Sequence, residues 1–210
     1  MYFFRLLMNT NHRKLWSLRV LTAVVLAASA QTWDVTAQPS TDRCQTKIAD
    51  FLRDPTESSL AAMSADDQSC SAVLQASTAD LQRLDGLAAE GNAFAARLLA
   101  RNLRSLDGGE LGDAYRALGQ FGAQHPQEFM RLALAEGLTT RHVSRAIEML
   151  PLELVDDFAA QLAEMRLRRS AIERVGDPEL AEARQASLAA IDSSIEARKR
   201  ADAAFDDEVQ

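Results

Sequence analysis

Apolar residues recur at helical spacing along most of this chain, in short stretches separated by residues that end or begin helices. Leu81 and Leu84 lie on one face of such a stretch. Gly91 can end it in the left-handed conformation that glycine adopts easily, and Asn92 can cap the next helix. Because this alternation repeats, the pattern predicts an all-α fold, a multi-helix bundle of short αα-hairpins that ends in a long antiparallel helical hairpin.

The large apolar side chains of these stripes form the predicted core. We expect the core to include Phe51, Leu74, Leu84, Phe94, Leu98, Tyr115, Leu118, Phe129, Ile147 and Phe158. One predicted helix also carries three glycines, each of which weakens a helix by about 1 kcal/mol relative to alanine. Glycine is expected in a helix where a neighbouring backbone approaches closely, which would account for Gly112, Gly119 and Gly122.

Two of the predicted hairpins have a similar layout. Phe94 and Phe129 begin corresponding helices 35 residues apart, and Leu99 and Leu134 keep the same offset. This spacing is close to the period of helical repeat proteins. A plain helical bundle with short loops also accounts for it, so the sequence is compatible with either arrangement.

The last part of the chain has a different pattern. Residues 151–204 predict two helices of over 20 residues, joined by a tight turn at residues 176–178. The second arm is rich in alanine and charged residues, and its apolar stripe is thin. Such an arm either packs on the rest of the chain or projects and self-associates with a second molecule.

The N-terminal segment has the three-part pattern of a secretory signal. Basic residues precede an apolar run at residues 20–28, and small residues at 28–30 suit a signal peptidase. The uncharged run from 20 to 33 is shorter than the roughly 20 residues that a membrane-spanning helix needs. We therefore expect a cleavable signal, a periplasmic or secreted protein, and no stable membrane anchor.

These patterns divide the chain into five segments. The predicted signal peptide is cut after residue 30 or residue 37. The remaining length suffices for one hydrophobic core. The order is the signal peptide at 1–30, a flexible lead-in at 31–40, a disulfide-stapled helical domain at 41–150, the C-terminal helical hairpin at 151–204 and an acidic tail at 205–210.

The net charge of the chain limits the classes of partner that it can bind. Four of the 23 basic residues and none of the 30 acidic ones lie in residues 1–30, so removing that segment changes the net charge from −7 to −11. Phosphate contacts need clustered Lys and Arg, and such a charge therefore opposes nucleic acid and anionic membranes. It favours solubility and a basic protein partner.

The two cysteines, Cys44 and Cys70, predict a disulfide bond. In an exported chain, an even number of cysteines at such spacing is typical of a structural disulfide. The spacing is not that of a Cys-x-x-Cys redox pair. Closing a loop of about 27 residues should stabilise the fold by roughly 3–4 kcal/mol.

The sequence predicts no metal, no cofactor and no catalytic residue. His125 and His142 fall near opposite ends of one predicted helix, about 16 Å apart. Two ligands of one zinc ion lie much closer than this. Gly108 and Gly109 lack the strand and the lysine of a phosphate-binding loop.

Paired acids are the remaining candidates for chemistry. Asp66 with Asp67 and Asp156 with Asp157 are adjacent in sequence. Neighbouring residues on a helix do not face one another, so these acids are typical of solvated first turns. Acids distant in sequence can still converge in the fold, which keeps a carboxylate-based site open.

The inventory favours a binding role. We hypothesise an exported, non-catalytic protein-interaction module of the bacterial cell envelope, either an inhibitor or immunity-type protein or an assembly factor. The alternative is a periplasmic enzyme with a carboxylate-based site. The C-terminal hairpin, with its narrow apolar stripe, is the candidate binding surface. Binding surfaces usually have a few anchor residues, often aromatic or arginine, near their centre. Its candidate anchors are Met165, Leu167, Arg168 and Arg169.

Overall fold

The structure is a computed structural model that describes residues 38–64 and 67–209. Over these residues every regular element is a helix and there is no strand, which confirms the all-α fold. The predicted signal peptide, both cleavage positions and Asp66 lie outside the described residues. The α-helices are α1 Gln38–Arg53, α2 Glu57–Ser64, α3 Asp67–Gln75, α4 Thr78–Ala89, α5 Ala93–Asn102, α6 Gly108–Gln124, α7 Pro126–Ala135, α8 Thr140–Glu148, α9 Phe158–Glu173 and α10 Ala181–Val209.

Polar caps set the starts of several helices. The side chains of Ser77, Asn92 and Thr139 accept hydrogen bonds from backbone N–H groups in the first turns of α4, α5 and α8. Gly91 and Gly137 follow α4 and α7 with positive φ angles of 98° and 62°, a conformation that favours glycine. The predicted cap at Asn92 and the predicted helix end at Gly91 are thus confirmed.

Alternate helices pack side by side in the middle of the fold. Helix α6 packs against α4 and α8, and α8 packs in turn against α10. On the other side, α5 packs against α4, α6 and α7. This is the neighbour pattern of stacked αα-hairpins. Helix α6 lies at the centre, since it also contacts α7 and α9.

A salt-bridge cluster joins α5 to the end of α7. Glu136 Oε1 accepts from Arg97 Nε at 2.5 Å, and Glu136 Oε2 accepts from Arg101 Nε at 2.9 Å. Burial raises the pKa of Glu136, but the hydrogen bonds and charges of Arg101 and Arg97 outweigh it and hold the pKa below its ordinary value. The row formed by α5 and α7 is therefore tied together by charge as well as by packing.

Most of the predicted core is confirmed. Phe94 and Phe158 are corrections, because both are only half-buried. Each lies in the first turn of its helix, where a side chain leans back past the helix start. The side chains that are buried as predicted are Phe51, Leu74, Leu84, Leu98, Tyr115, Leu118, Phe129 and Ile147.

The predicted disulfide is confirmed. Cys44 in α1 and Cys70 in α3 are bonded, with their Cα atoms 4.9 Å apart, and both side chains are buried. Lys47 Nζ also donates to the carbonyl oxygen of Ala62 at 2.8 Å, which ties α1 to α2. The first three helices thus form one stapled unit.

The predicted close approach of a neighbouring backbone is confirmed at one glycine of α6, Gly119, whereas Gly122 is close to a side chain. A Cβ atom on Gly119 would lie 2.1 Å from the carbonyl oxygen of Ala146 in α8. A Cβ atom on Gly122 would lie 3.1 Å from the ring of Phe129. Gly112 has no such neighbour, since Arg116 Nη1 would be 3.9 Å away.

The C-terminal hairpin packs on the rest of the fold and does not project. Helix α9 contacts α6, and α10 contacts α8 and α9. The expected length of the first arm was wrong: α9 has 16 residues, whereas α10 has 29. Asp157 caps α9 by accepting from the N–H of Ala160, so the helix begins only at Phe158. Helix α10 continues to Val209, past the predicted end at Ala204.

We predict that Gly119→Ala strongly destabilises the protein, whereas Gly112→Ala does not. The new methyl group at position 119 would overlap a backbone carbonyl, and overpacking of this kind typically costs about 1–3 kcal/mol or more. The same change at position 112 removes a helix-weakening glycine and should stabilise the fold by up to about 1 kcal/mol. Urea unfolding of both variants checks this, and equal stabilities would contradict the α6–α8 contact.

Candidate functional site

The four predicted anchors do not form one surface. Met165 and Arg168 are fully buried inside the protein, which corrects their assignment as surface anchors. Leu167 is exposed over 67% of its surface, on the outer side of α9. Arg169 is partly exposed but engaged in ion pairs within the hairpin.

Arg168 closes the C-terminal end of α8. Its Nη1 donates to the carbonyl oxygens of Ile147 at 2.8 Å and Met149 at 3.0 Å. Its Nε donates to Glu164 Oε1 at 2.8 Å. A cation at a helix C-terminus is stabilised by the orphan carbonyls and the helix dipole. Reversing the charge of Arg168 would therefore disrupt the core, and would not be a test of partner binding.

Arg169 links the two helices of the hairpin through ion pairs. Its Nε donates to Asp192 Oδ1 in α10 at 2.6 Å, and its Nη1 donates to Glu173. The hydrogen bonds and charges of Asp192 and Glu173 raise the pKa of Arg169 above its ordinary value. The positive charge of Arg169 is thus neutralised by acidic residues of the same chain.

The two histidines lie against aromatic rings. His125 stands just before α7 with its ring centroid 5.3 Å from that of Phe121. His142 is half-buried with its centroid 6.3 Å from that of Tyr115. Over residues 38–64 and 67–209, no group of three or more His, Cys, Asp or Glu side chains is placed to hold a metal ion.

Three acids from α4 and α6 converge, which the sequence did not indicate. The Oδ1 atom of Asp85 is buried and has no hydrogen-bond partner among the described residues. Burial, followed by the charges of Asp113 and Glu110, raises the pKa of Asp85 to about 7. Arg116 pairs with Asp113 and leaves Asp85 uncompensated.

A signal for Asp85 exists in the spacing of α4. Asp85 lies four residues after Leu81 and three before Ala88, so it shares the buried stripe of the helix. A carboxylate with a pKa near neutrality can serve as a general acid or base. Among the residues that the structure describes, Asp85 is therefore the carboxylate that supports the carboxylate hypothesis.

An apolar groove of about 230 Å³ opens between α7, α8 and the start of α10. Leu134 lies on its edge and is exposed over 58% of its surface. Glu179 and Glu182 are its only charged lining residues. The groove is lined by Met130, Ala133, Leu134, Leu138, Thr140, Val143, Ser144, Glu179, Glu182, Ala183, Ala186 and Ser187.

A second, more open cavity of about 400 Å³ lies at the start of α7. His125, Glu128 and Arg174 line it together with the amides of Gln124 and Gln127. All three charged or ionisable side chains are exposed. Because these side chains include a cation, an anion and two amides, the lining of this cavity does not indicate one class of ligand.

No known protein family, curated protein or solved structure matches this chain. None of the helices between Gln38 and Val209 is both long and apolar enough to cross a membrane. The function is therefore inferred from the groove and the acid cluster alone.

We predict that Asp85→Asn stabilises the protein at alkaline pH and that the gain disappears in acid. The folded protein holds the Asp85 proton up to about pH 7, whereas the unfolded chain releases it near the ordinary value of 3.8. Ionised Asp85 therefore penalises the folded state above pH 7, and the penalty fades as the pH falls towards 4. Because Asp85 is partly solvated, we expect a gain of about 1–2 kcal/mol at pH 8.

Urea unfolding across this pH range measures the gain. Asp156→Asn, at an exposed carboxylate outside the cluster, is the matched control and should change little. An Asp85→Asn gain that is the same at pH 5 and pH 8 would contradict the raised pKa.

Proposed function

We propose that this protein is exported and acts in the bacterial cell envelope as a non-catalytic protein-interaction module. The groove beside Leu134 is the observation that supports the binding role. The Cys44–Cys70 disulfide supports export, because such bonds persist in oxidising compartments. The acidic sequence supports a partner with a basic surface.

Leu134 is a large apolar side chain that is exposed at the edge of the groove. It follows the fully buried Met130 and Ala133 on a helix that is otherwise packed against α5 and α6. Burying a leucine side chain contributes about 1.5–3 kcal/mol. A partner that covers Leu134 and fills the groove would gain part of this energy on binding, because 58% of the Leu134 surface is still exposed.

Two biological roles fit such a module. An inhibitor or immunity-type protein would cover the active surface of a toxin, and an assembly factor would hold an envelope component. Both need a preformed surface on a rigid body, and the disulfide and the helical stack supply the rigidity. Self-association through the hairpin would need a different surface, since Arg169 is already paired within the chain.

We predict that a photo-crosslinking residue at position 134 captures a discrete protein in the cells that make this chain. The same residue at position 167 is the matched control, because Leu167 is similarly exposed but lies outside the groove. Mass spectrometry of the crosslinked species identifies the partner. Leu152 and Val155 are also large, exposed apolar side chains. A lack of any crosslinked protein from positions 134, 152 and 155 would contradict the interaction role.

The second candidate is an envelope enzyme that uses Asp85. The buried Oδ1 atom and a pKa of about 7 favour it, because catalytic acids and bases are often perturbed in this way. A screen of the purified protein for hydrolytic turnover tests it. A turnover that Asp85→Asn abolishes, while the folded structure persists, would replace the binding proposal with this one.

A further inference from the structure

We propose that the groove receives an amphipathic helix of a protein partner, with aliphatic side chains inside the groove and Lys or Arg residues beside Glu179 and Glu182. This inference rests on the proposed function and adds the surface and the chemistry of the partner. Three observations carry it: the packing around α7, the lining of the groove and the charge of its edge.

The first observation is the unequal packing of two matching helices. Leu99 in α5 and Leu134 in α7 lie 35 residues apart at corresponding positions. Leu99 is completely buried, whereas Leu134 is 58% exposed. Helix α5 has α7 packed beside it. The last turns of α7 border the groove instead. Helix α7 also contacts α9 and Pro178–Leu180, but these neighbours leave Leu134 and the groove uncovered.

The second observation is the chemistry of the lining. Met130, Ala133, Leu138 and Val143 supply apolar surface from α7 and α8 and the segment between them. On α10 the lining side chains Ala183, Ala186 and Ser187 are small, and Ser187 Oγ already donates to the carbonyl oxygen of Ala183. Small side chains let a neighbouring helix approach closely.

The size of the groove suits side chains of a partner. An apolar cavity of about 150 Å³ holds a benzene-sized group. The groove, at about 230 Å³, can therefore receive one large or two small aliphatic side chains. An amphipathic helix presents such side chains three or four residues apart on one face.

The third observation is the acidic edge. Glu179 and Glu182 are exposed, and neither carboxylate forms an ion pair among the described residues. The nearby cation Arg131 is already paired with Asp177 at 2.7 Å. Two uncompensated acids beside an apolar groove complement a basic partner. A second copy of this acidic chain would be repelled by its net charge of −7.

A synthetic probe tests the proposal directly. The probe is a fluorescent peptide of about four helical turns, with leucine on one face and lysine on the other. Fluorescence anisotropy measures its affinity for the full-length folded protein at low and physiological ionic strength. We expect the wild-type protein to bind this probe. Two other peptides should bind more weakly than the probe: a scrambled peptide of the same composition, and a version with glutamate in place of lysine.

Variants of the protein locate the binding. Leu134→Ser should weaken binding by about fivefold to tenfold, and Ala186→Phe should weaken it further by filling the groove. Glu179→Gln with Glu182→Gln should weaken binding severalfold and reduce its dependence on salt. Because Leu134 is mostly exposed, Leu134→Ser should fold normally even if Ala186→Phe does not.

Matched controls make the outcome decisive. Leu167→Ser removes an equally exposed leucine, and Glu153→Gln with Asp156→Asn neutralises two exposed acids outside the groove. If these controls weaken binding as much as the groove variants, or the scrambled peptide binds equally well, the proposal is overturned. A concentration-dependent dimer that Leu134→Ser abolishes would assign the groove to a second copy and also overturn it.

The failure of this inference is distinguishable from failure of the proposed function. If position 134 crosslinks to a cellular protein but the peptide does not bind, the interaction role stands and the helical, basic partner is rejected. If crosslinks form only from other positions, the interaction role stands and the groove is rejected.

Discussion

The close contact of α6 with α8 at Gly119 is the constraint on which the rest of this structure depends. With no side chain at Gly119, the carbonyl oxygen of Ala146 lies where a Cβ atom would otherwise be. Arg168 then covers the same junction and donates to two carbonyls at the end of α8, those of Ile147 and of Met149 just after the helix. Helix α8 has only nine residues, so this backbone contact and its buried cation hold it in place. Helix α10 packs on α8, and the position of the hairpin follows from that of α8.

Features that depend on a few neighbouring residues could be predicted from the sequence. Asn92 and Gly91 mark helix ends because a cap and a left-handed turn each act within one turn of helix. The helical stripes also placed Cys44 and Cys70 on inward faces, where a bond between α1 and α3 can form. The glycines of α6 indicated a close neighbour, although only the fold shows that Ala146 is that neighbour at Gly119.

Features that depend on distant partners could not be predicted. Arg168 was interpreted as a surface cation, yet it is buried because it reaches carbonyls 19 and 21 residues earlier in the chain. Its spacing held a clue, since Met165, Arg168 and Ile172 share one helical stripe. Asp85 likewise sits in a buried stripe, but its raised pKa needs acids of α6 that only the packing of α4 on α6 brings near. The spacing of residues along a helix can show that a charged side chain lies on the buried face. It does not show which group from another helix that side chain will contact.

The groove lies where the repeated layout of the helices stops. Helical stacks usually end in a polar outer face, because an exposed apolar end would make the protein insoluble. Here the last turns of α7 carry Leu134, in the position that is fully buried as Leu99 one hairpin earlier. The chain continues into α9 and α10, and the small residues Ala183 and Ala186 of α10 border the groove without filling it. The exposed leucine, the small side chains and the two acids at the edge are the features on which the proposed interface rests.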